Sequence, residues 1–368
     1  MLIHVVSVLF LGLALRVGLP WSNATQHAAC AVLSVQLPET VHYRGSTPFT
    51  DSVGSYFTRQ EQETLPLCVV RPSSADQVAR VVSTMRHFLV VGGQFAVRSG
   101  GHGPFFGGSN LENGVVVDLD LLDQVQVSDD RSSVNLGPGS RWRRVWQVLD
   151  PLEITVAGGR DAGVGVGGYL LGGGMSYLGP LLGWGCESVL EYEVVLASGE
   201  IVTVNEQSHP DLFLALKGGS NNFGIVTRFA MKTYPLGKFW GGFVAHPSTA
   251  LDKQATAFSD FMGSDPFDPH AAIFQSYGYV SNYSIISNGL WYTKPVEHPK
   301  PLEFLSDKDT AVHSTLRMDN MSSFAAETGS FQTYDNRSVA LLLWSSCDEA
   351  NTHSKQTNLV HHFICSLT

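Results

Sequence analysis

At 368 residues the chain is long enough for two domains with cores of their own, and its 43% hydrophobic and 15% charged residues suit an ordinary globular enzyme. Lys and Arg number 23 against 33 Asp and Glu, and the resulting formal net charge of -10 argues against a nucleic-acid partner. Of the 37 glycines, 26 cluster between residues 91 and 224, where they mark backbone held at close quarters and not a flexible linker.

Residues 1–24 read as a signal peptide. Val5 to Leu15 is an apolar run of signal-peptide length, followed by Arg16 and too short to span a bilayer. Ser22-Asn23-Ala24 supplies small residues for cleavage, so the mature chain is expected to begin near Thr25 and to lack a membrane anchor. A buried N-terminal strand or helix is the alternative. Secretion agrees with sequons at Asn23, Asn282, Asn320 and Asn336, of which the first is lost on cleavage. Five cysteines match no zinc pattern; Cys30 and Cys68 can tie the N-terminal segment, residues 25–63, to the first strand–helix unit. Cys186, Cys347 and Cys365 have no evident partners.

Cys68-Val69-Val70 is a short apolar strand, and Ser73-Ser74-Ala75-Asp76 caps a helix carrying Val78, Val81, Val82 and Met85 on one face. Phe95-Ala96-Val97 is a strand that delivers Arg98-Ser99-Gly100-Gly101-His102, and Gly114 to Asp118 is another. Arg141 to Leu149 is an amphipathic helix whose Trp142, Val145, Trp146 and Leu149 belong to the core. Val189 to Leu196 and Ile201 to Val204 flank Ser198-Gly199 as a β-hairpin. Asp211 to Lys217 is a short helix stopped by Gly218-Gly219, and Gly224 to Phe229 begins a strand. Beyond Pro235 the glycine density falls, which places a boundary near residue 236.

In Arg98-Ser99-Gly100-Gly101-His102 the glycines let main-chain N–H groups close on a phosphate, and a neutral imidazole can bond covalently to a cofactor. Alone, the same pentapeptide describes a tight turn before a surface histidine. A second glycine-rich run, Gly158 to Gly168 followed by Gly172-Gly173-Gly174, asks for the same explanation. Its Gly163, Gly165 and Gly168 satisfy a dinucleotide-binding G-x-G-x-x-G spacing, but Gly172-Gly173-Gly174 and Gly179-Pro180 would break the long helix that such a site requires. Two loops about sixty residues apart gripping the ends of one diphosphate-bridged cofactor is the better account, with Lys217 to Gly224 as a third close-approach loop.

The order of Arg98 to His102, Val164-Gly165-Val166-Gly167-Gly168 with Gly172-Gly173-Gly174, and Gly218-Gly219-Ser220-Asn221-Asn222-Phe223-Gly224-Ile225-Val226-Thr227 resembles the FAD-binding domain of vanillyl-alcohol-oxidase-like flavoproteins. Within that group the chain is most similar to the secreted fungal berberine-bridge-enzyme-like oxidoreductases, with strong motifs over about residues 30–236 and a fainter match to about 344. The resemblance implies an α+β fold. Its parts would be a two-subdomain FAD-binding domain of the PCMH type over 64–236 and an incomplete α/β substrate domain with an antiparallel sheet over 237–344.

By the same match, FAD would lie on Arg98, Ser99, Gly100, Gly101, Gly163, Val164, Gly165, Gly167, Gly168, Gly173, Gly174, Gly224, Ile225 and Val226, with His102 bonded to the 8α-methyl of the ring system. Some relatives add a second bond from a cysteine just before the Val-Gly-Val-Gly-Gly run; here Arg160-Asp161-Ala162-Gly163 has none, so a single link is expected. The implied reaction is hydride removal from a small organic molecule, a secondary-metabolite intermediate, with molecular oxygen as acceptor and a monomer as the working unit. An oligosaccharide or alcohol oxidase, an inactive FAD-binding remnant, and a secreted protein binding another phosphate ligand remain alternatives. No catalytic base stands out by motif; Tyr277, Tyr279, Tyr283 and Tyr292 are candidates, and packing is the competing role for them. Relatives continue through a longer substrate domain, whereas residues 345–368 here depart from their pattern and are expected to form a disordered tail.

Overall fold

A computed structural model describes residues 21–280, 283–307 and 309–331. Its first element, the helix Trp21–Gln36, runs through the expected cleavage position after Ala24, a residue that is itself buried. Ala29, Leu33 and their neighbours pack beside the helix Ala75–Leu89, and the Cys30–Cys68 disulfide joins the first helix to a strand. Ser74 caps that second helix by accepting from Gln77 N, as its sequence predicts.

Strands β1 (Val41–Tyr43), β2 (Cys68–Val70), β3 (Phe95–Arg98) and β4 (Val115–Asp118) form a sheet in the order β1-β2-β4-β3, with β2, β4 and β3 parallel. Its central strands are runs of valine because both faces are covered. Cys68, Val70, Val115 and Val117 face the two long helices; Val69 and Val116 face Phe49 and Val53 of the helix Thr47–Gly54.

The second subdomain contains β5 (Val125–Val127), β6 (Ser133–Leu136), β7 (Ile154–Thr155), β8 (Val189–Val195), β9 (Ile201–Val204), β10 (Ile225–Lys232) and β11 (Tyr234–Pro235). The order β5-β6-β10-β8-β9 is antiparallel throughout, and β7 pairs with β11. Trp142 and Trp146, on the helix Trp142–Leu149, anchor this core. Gly158 and Gly159 press against the two indoles so closely that a Cβ would stand 2.3 Å from a Trp142 ring atom.

The third sheet is built from β12 (Phe239–Pro247), β13 (Ala271–Val280), β14 (Tyr283–Tyr292), β15 (His313–Ser314) and β16 (Arg317–Asp319), with β14 between β13 and β12. Phe239, Phe243, Ala272, Phe274 and Trp291 turn one face toward the second subdomain, while Trp240, Val244, Leu290 and Tyr292 meet the helix Leu251–Met262 and its surroundings on the other. The helix Met321–Ser330 then returns to the second subdomain: Met321, Phe324 and Ala325 enter its core, and Ala325 O accepts from Ala162 N at 3.1 Å. The α+β organisation and the antiparallel sheet thus match expectation. The helix that the dinucleotide spacing would need is six residues long, Val166–Leu171, and ends at Gly172. Residues 345–368 lie outside the described residues.

One buried ion pair fastens the parallel sheet. Arg98 Nη1 donates to Asp118 Oδ2 at 3.1 Å and to Ser52, Nη2 donates to Ser55 Oγ at 2.7 Å, and the guanidinium covers the Tyr56 ring at 4.1 Å. Both side chains are almost wholly withdrawn from water. Removing one partner strands the other charge, so Asp118→Ala is expected to cost about 3–5 kcal/mol in urea unfolding, more than the double variant with Arg98→Met.

Candidate cofactor and substrate site

β3 hands the chain from Arg98 directly into the Ser99–His102 loop. Gly100 lies against Gly165 of the second glycine run: a Cβ on Gly100 would stand 2.5 Å from Gly165 N, and one on Gly165 would stand 2.4 Å from Gly100 N. The second loop is itself pinned, Val166 N donating to Ser140 O at 2.8 Å, Trp142 N to Val164 O at 3.0 Å and Gly167 N to Pro138 O at 3.2 Å. Ser99 Oγ donates to the same Pro138 carbonyl at 2.6 Å, so both loops share an anchor. Gly101 has φ +63° and its carbonyl accepts from Phe57 N at 2.9 Å.

Among the described residues, the main-chain N–H groups of Ser99, Gly100 and Gly101 find no acceptor, although Gly100 and Gly101 are buried. Consecutive main-chain amides left without a protein acceptor can receive an anion, and they fit the diphosphate of a dinucleotide. Gly168 faces open space, where a Cβ would meet nothing within 4 Å.

His102 follows. Its ring stacks on Phe57, with centroids 4.1 Å apart and planes within 10°. Nε2 stands 3.7 Å from Asp161 Oδ2, and both side chains are largely buried. Burial holds the imidazole below its ordinary range, the Asp161 carboxylate opposes that shift, and Arg141 adds to it. The neutral ring that results is a nucleophile. Asp161 is fixed by Gly163, whose N–H donates to Oδ1 at 2.6 Å, and Arg141 Nη1 donates to the Gly163 carbonyl.

Arg160, the neighbour of Asp161, lines a cavity of about 310 Å³ between the second subdomain and the third sheet, together with Tyr177, Trp184, Ala272, Ile273 and Trp291. Its guanidinium lies 5.6 Å from the Phe274 ring centre, and among the described residues it forms no ion pair or side-chain hydrogen bond. Tyr177 and Trp291 stack at 4.2 Å across the same boundary. Gly173 and Gly174 take φ +99° and +84° beside it, and a Cβ on Gly174 would meet the Tyr169 ring at 2.4 Å.

The structure therefore gathers Ser99, Gly100, Gly101, His102, Gly163, Val164, Gly165, Gly167 and Gly168 at one seam, with Gly173 and Gly174 bordering the cavity beyond. It takes the Arg98 side chain elsewhere, into the Asp118 pair. Gly224 has φ +135° beside Val195 O, while Ile225 and Val226 point their side chains into the two subdomain cores, leaving main chain alone for a ligand. Tyr277 and Tyr292 occupy the sheet face turned away from the cavity, where their hydroxyls donate to Gln275 and Asp268. The side chains of Tyr279 and Tyr283 lie outside the described residues. Phe57, Arg160 and Asp161 were not among the residues expected to form the site; for Asp161 the signal was its place at the head of a glycine loop.

A lowered folded-state pKa for His102 means that the unfolded chain binds more protons below pH 6.5, so stability is present above that value and is lost as pH falls through it. In the apoprotein, His102→Gln is expected to flatten the fall of urea stability below pH 6.5 by up to about 1.4 kcal/mol per pH unit. His42 and His246, also lowered by burial, contribute the same slope to both proteins. Gly165→Ala is expected to cost about 1–3 kcal/mol, because backbone on the other loop must move.

The sequence model of the family described as FAD binding domain matches residues 66–205. An FAD-dependent monooxygenase of Cercospora beticola is 34% identical over 332 residues, covering 86% of this chain and 63% of that protein. The chain therefore spans less than two thirds of that relative's length. In structure, 6-hydroxy-D-nicotine oxidase of Arthrobacter nicotinovorans superposes with a TM-score of 0.71 at 22% identity, covering 81% of this chain and 65% of that one. The wild-type BBE-like 1 protein of Physcomitrella patens superposes with a TM-score of 0.67 at 21% identity, covering 79% and 62%. Residues 66–205 thus match an FAD-binding domain, the chain is similar in sequence to a fungal FAD-dependent monooxygenase, and it shares its fold with these two solved structures.

Proposed function

We propose that the protein is an FAD-linked oxidase that removes hydride from a small organic molecule held in the Arg160–Trp291 cavity, with His102 carrying the cofactor through one covalent bond. The observation that carries this reading is the seam itself: three amides without an acceptor among the described residues, a stacked imidazole and an aromatic cavity follow one another within one stretch of structure. Ser99, Gly100 and Gly101 would hold the diphosphate, and His102 would hold the ring system. FAD, when bound, supplies a two-electron acceptor for hydride.

The chain's own residues do the rest. Phe57 fixes the imidazole plane, so the ring system is presented in one orientation to the cavity. Trp184, Trp291 and Tyr177 exclude water and favour a flat or apolar substrate. Arg160 brings a cation whose own hydrogen bonds are available to a polar or acidic group on that substrate. The similar fungal proteins carry the name monooxygenase, which favours oxygen insertion as a second reading. The Cys30–Cys68 bridge supports a secreted protein, and molecular oxygen as acceptor and a monomeric state belong to the same proposal.

The purified protein is expected to be yellow and to keep its flavin through acid precipitation, with the flavin on the tryptic peptide that contains His102. His102→Ala should release all flavin on denaturation; flavin retained covalently in that variant refutes the link. One hydrogen peroxide per substrate oxidised, with no labelled oxygen in the product, separates the oxidase from the oxygen-inserting reading.

A further inference from the structure

We infer that Asp161 is the positioning residue for covalent attachment of the cofactor: it faces Nε2 of His102 and thereby commits the other ring nitrogen, Nδ1, to the bond. The inference rests on the reading of His102 as the attachment point. Three observations place Asp161 in this role. Its Oδ2 lies 3.7 Å from His102 Nε2 and, among the described residues, accepts no hydrogen bond, although it is buried. Its Oδ1 is occupied by Gly163 N–H at 2.6 Å, which fixes the carboxylate plane and leaves Oδ2 turned to the histidine. The ring has little freedom to turn away, because Phe57 stacks on it at 4.1 Å.

A carboxylate beside one imidazole nitrogen selects the tautomer with hydrogen on that nitrogen and stabilises the cation that forms when the other nitrogen reacts. Here Nδ1 bonds to the 8α carbon as one C–H bond there breaks, the methyl proton and two electrons passing to the ring system. The imidazolium so formed shares its Nε2 proton with Asp161. Dioxygen then removes the two electrons, one proton from the ring system and the Nε2 proton as hydrogen peroxide, which leaves an alkylated neutral imidazole. Arg141 also approaches, but its guanidinium is engaged with the Gly163 carbonyl. Asp161 stands within the Arg160-Asp161-Ala162-Gly163 stretch, which contains no cysteine.

The test compares wild type, Asp161→Asn, Asp161→Ala and Asp161→Glu, each expressed and purified with FAD, for total bound flavin, the rate at which flavin becomes acid-stable, and the ring nitrogen alkylated in the isolated histidyl-flavin. Asp161→Asn keeps the Gly163 contact, so it should bind FAD as wild type does while attaching it about tenfold to a hundredfold more slowly. Asp161→Ala should be slower still, Asp161→Glu should recover part of the rate, and the wild-type bond should be at Nδ1. Attachment at the wild-type rate in both Asp161→Asn and Asp161→Ala overturns the inference, as does a wild-type bond at Nε2 or a loss of total FAD that accounts for the whole loss of covalent flavin. Wild-type protein that binds FAD with no histidyl-flavin at all refutes the attachment reading itself, and is told apart from the other failures because every variant then behaves alike.

Discussion

Two glycine backbones in contact, Gly100 against Gly165, set the geometry on which the site depends. The parallel sheet ends in one loop and the antiparallel subdomain supplies the other, and neither tolerates a Cβ where they meet. Each loop is also tied to the Pro138 carbonyl, the first through the short Ser99 hydroxyl and the second through Gly167 N, so the spacing between subdomains at this point is tightly set. His102 is the first residue beyond the contact that carries a functional side chain, and its place against Phe57 and Asp161 follows from that rigidity. Preorganisation of this kind is what a covalent cofactor link requires, since the reacting nitrogen must be presented in one direction.

The charges near the seam are divided between two tasks. Arg98 opens the motif, yet its guanidinium turns back into the parallel subdomain and is consumed by Asp118, Ser52, Ser55 and the Tyr56 ring. That leaves the rest of the loop to uncharged amides, which, under the proposed function, can approach an anion closely without a long side chain between. Arg160 and Asp161, adjacent in sequence, part in space: the arginine reaches the aromatic cavity and the aspartate meets the histidine. The cavity in turn needs the third sheet, whose Ala272, Ile273 and Trp291 close the side opposite Tyr177 and Trp184. The return of the helix Met321–Ser330 onto the second subdomain, through Phe324 and Ala325, makes that sheet part of the same core.

Most elements of the FAD-binding domain were legible because they are short, strongly patterned and bounded by capping or turn residues. Ser74 ahead of Val78, Val81, Val82 and Met85, and Ser198-Gly199 between two valine-rich runs, are local signals that tertiary context had no reason to override. The site was half legible. Glycine loops announce close approach, but whether the approaching group is a ligand or another strand of the protein is a three-dimensional question; Gly158 and Gly159 serve tryptophans, and Gly100 and Gly165 serve each other. Tyrosines at strand spacing were candidates for a base with packing as the competing role, and the pleat puts Tyr277 and Tyr292 on the face turned away from the cavity, since alternate residues of one strand point to opposite sides.

The sequence by itself determined the resemblance to FAD-binding domains, the order of the glycine loops and the position of His102 behind the first of them, because these depend on residue type and spacing along one strand–loop unit. Only the tertiary structure decided which side chains serve His102 and which line the cavity. Phe57, Asp161 and Trp291 come from three separate parts of the chain, and their meeting depends on how two glycine loops close and where a third sheet docks. Contacts between distant segments leave no periodic trace in a sequence, so Asp161 stood out only as part of a stretch without cysteine until the fold set it 3.7 Å from an imidazole nitrogen.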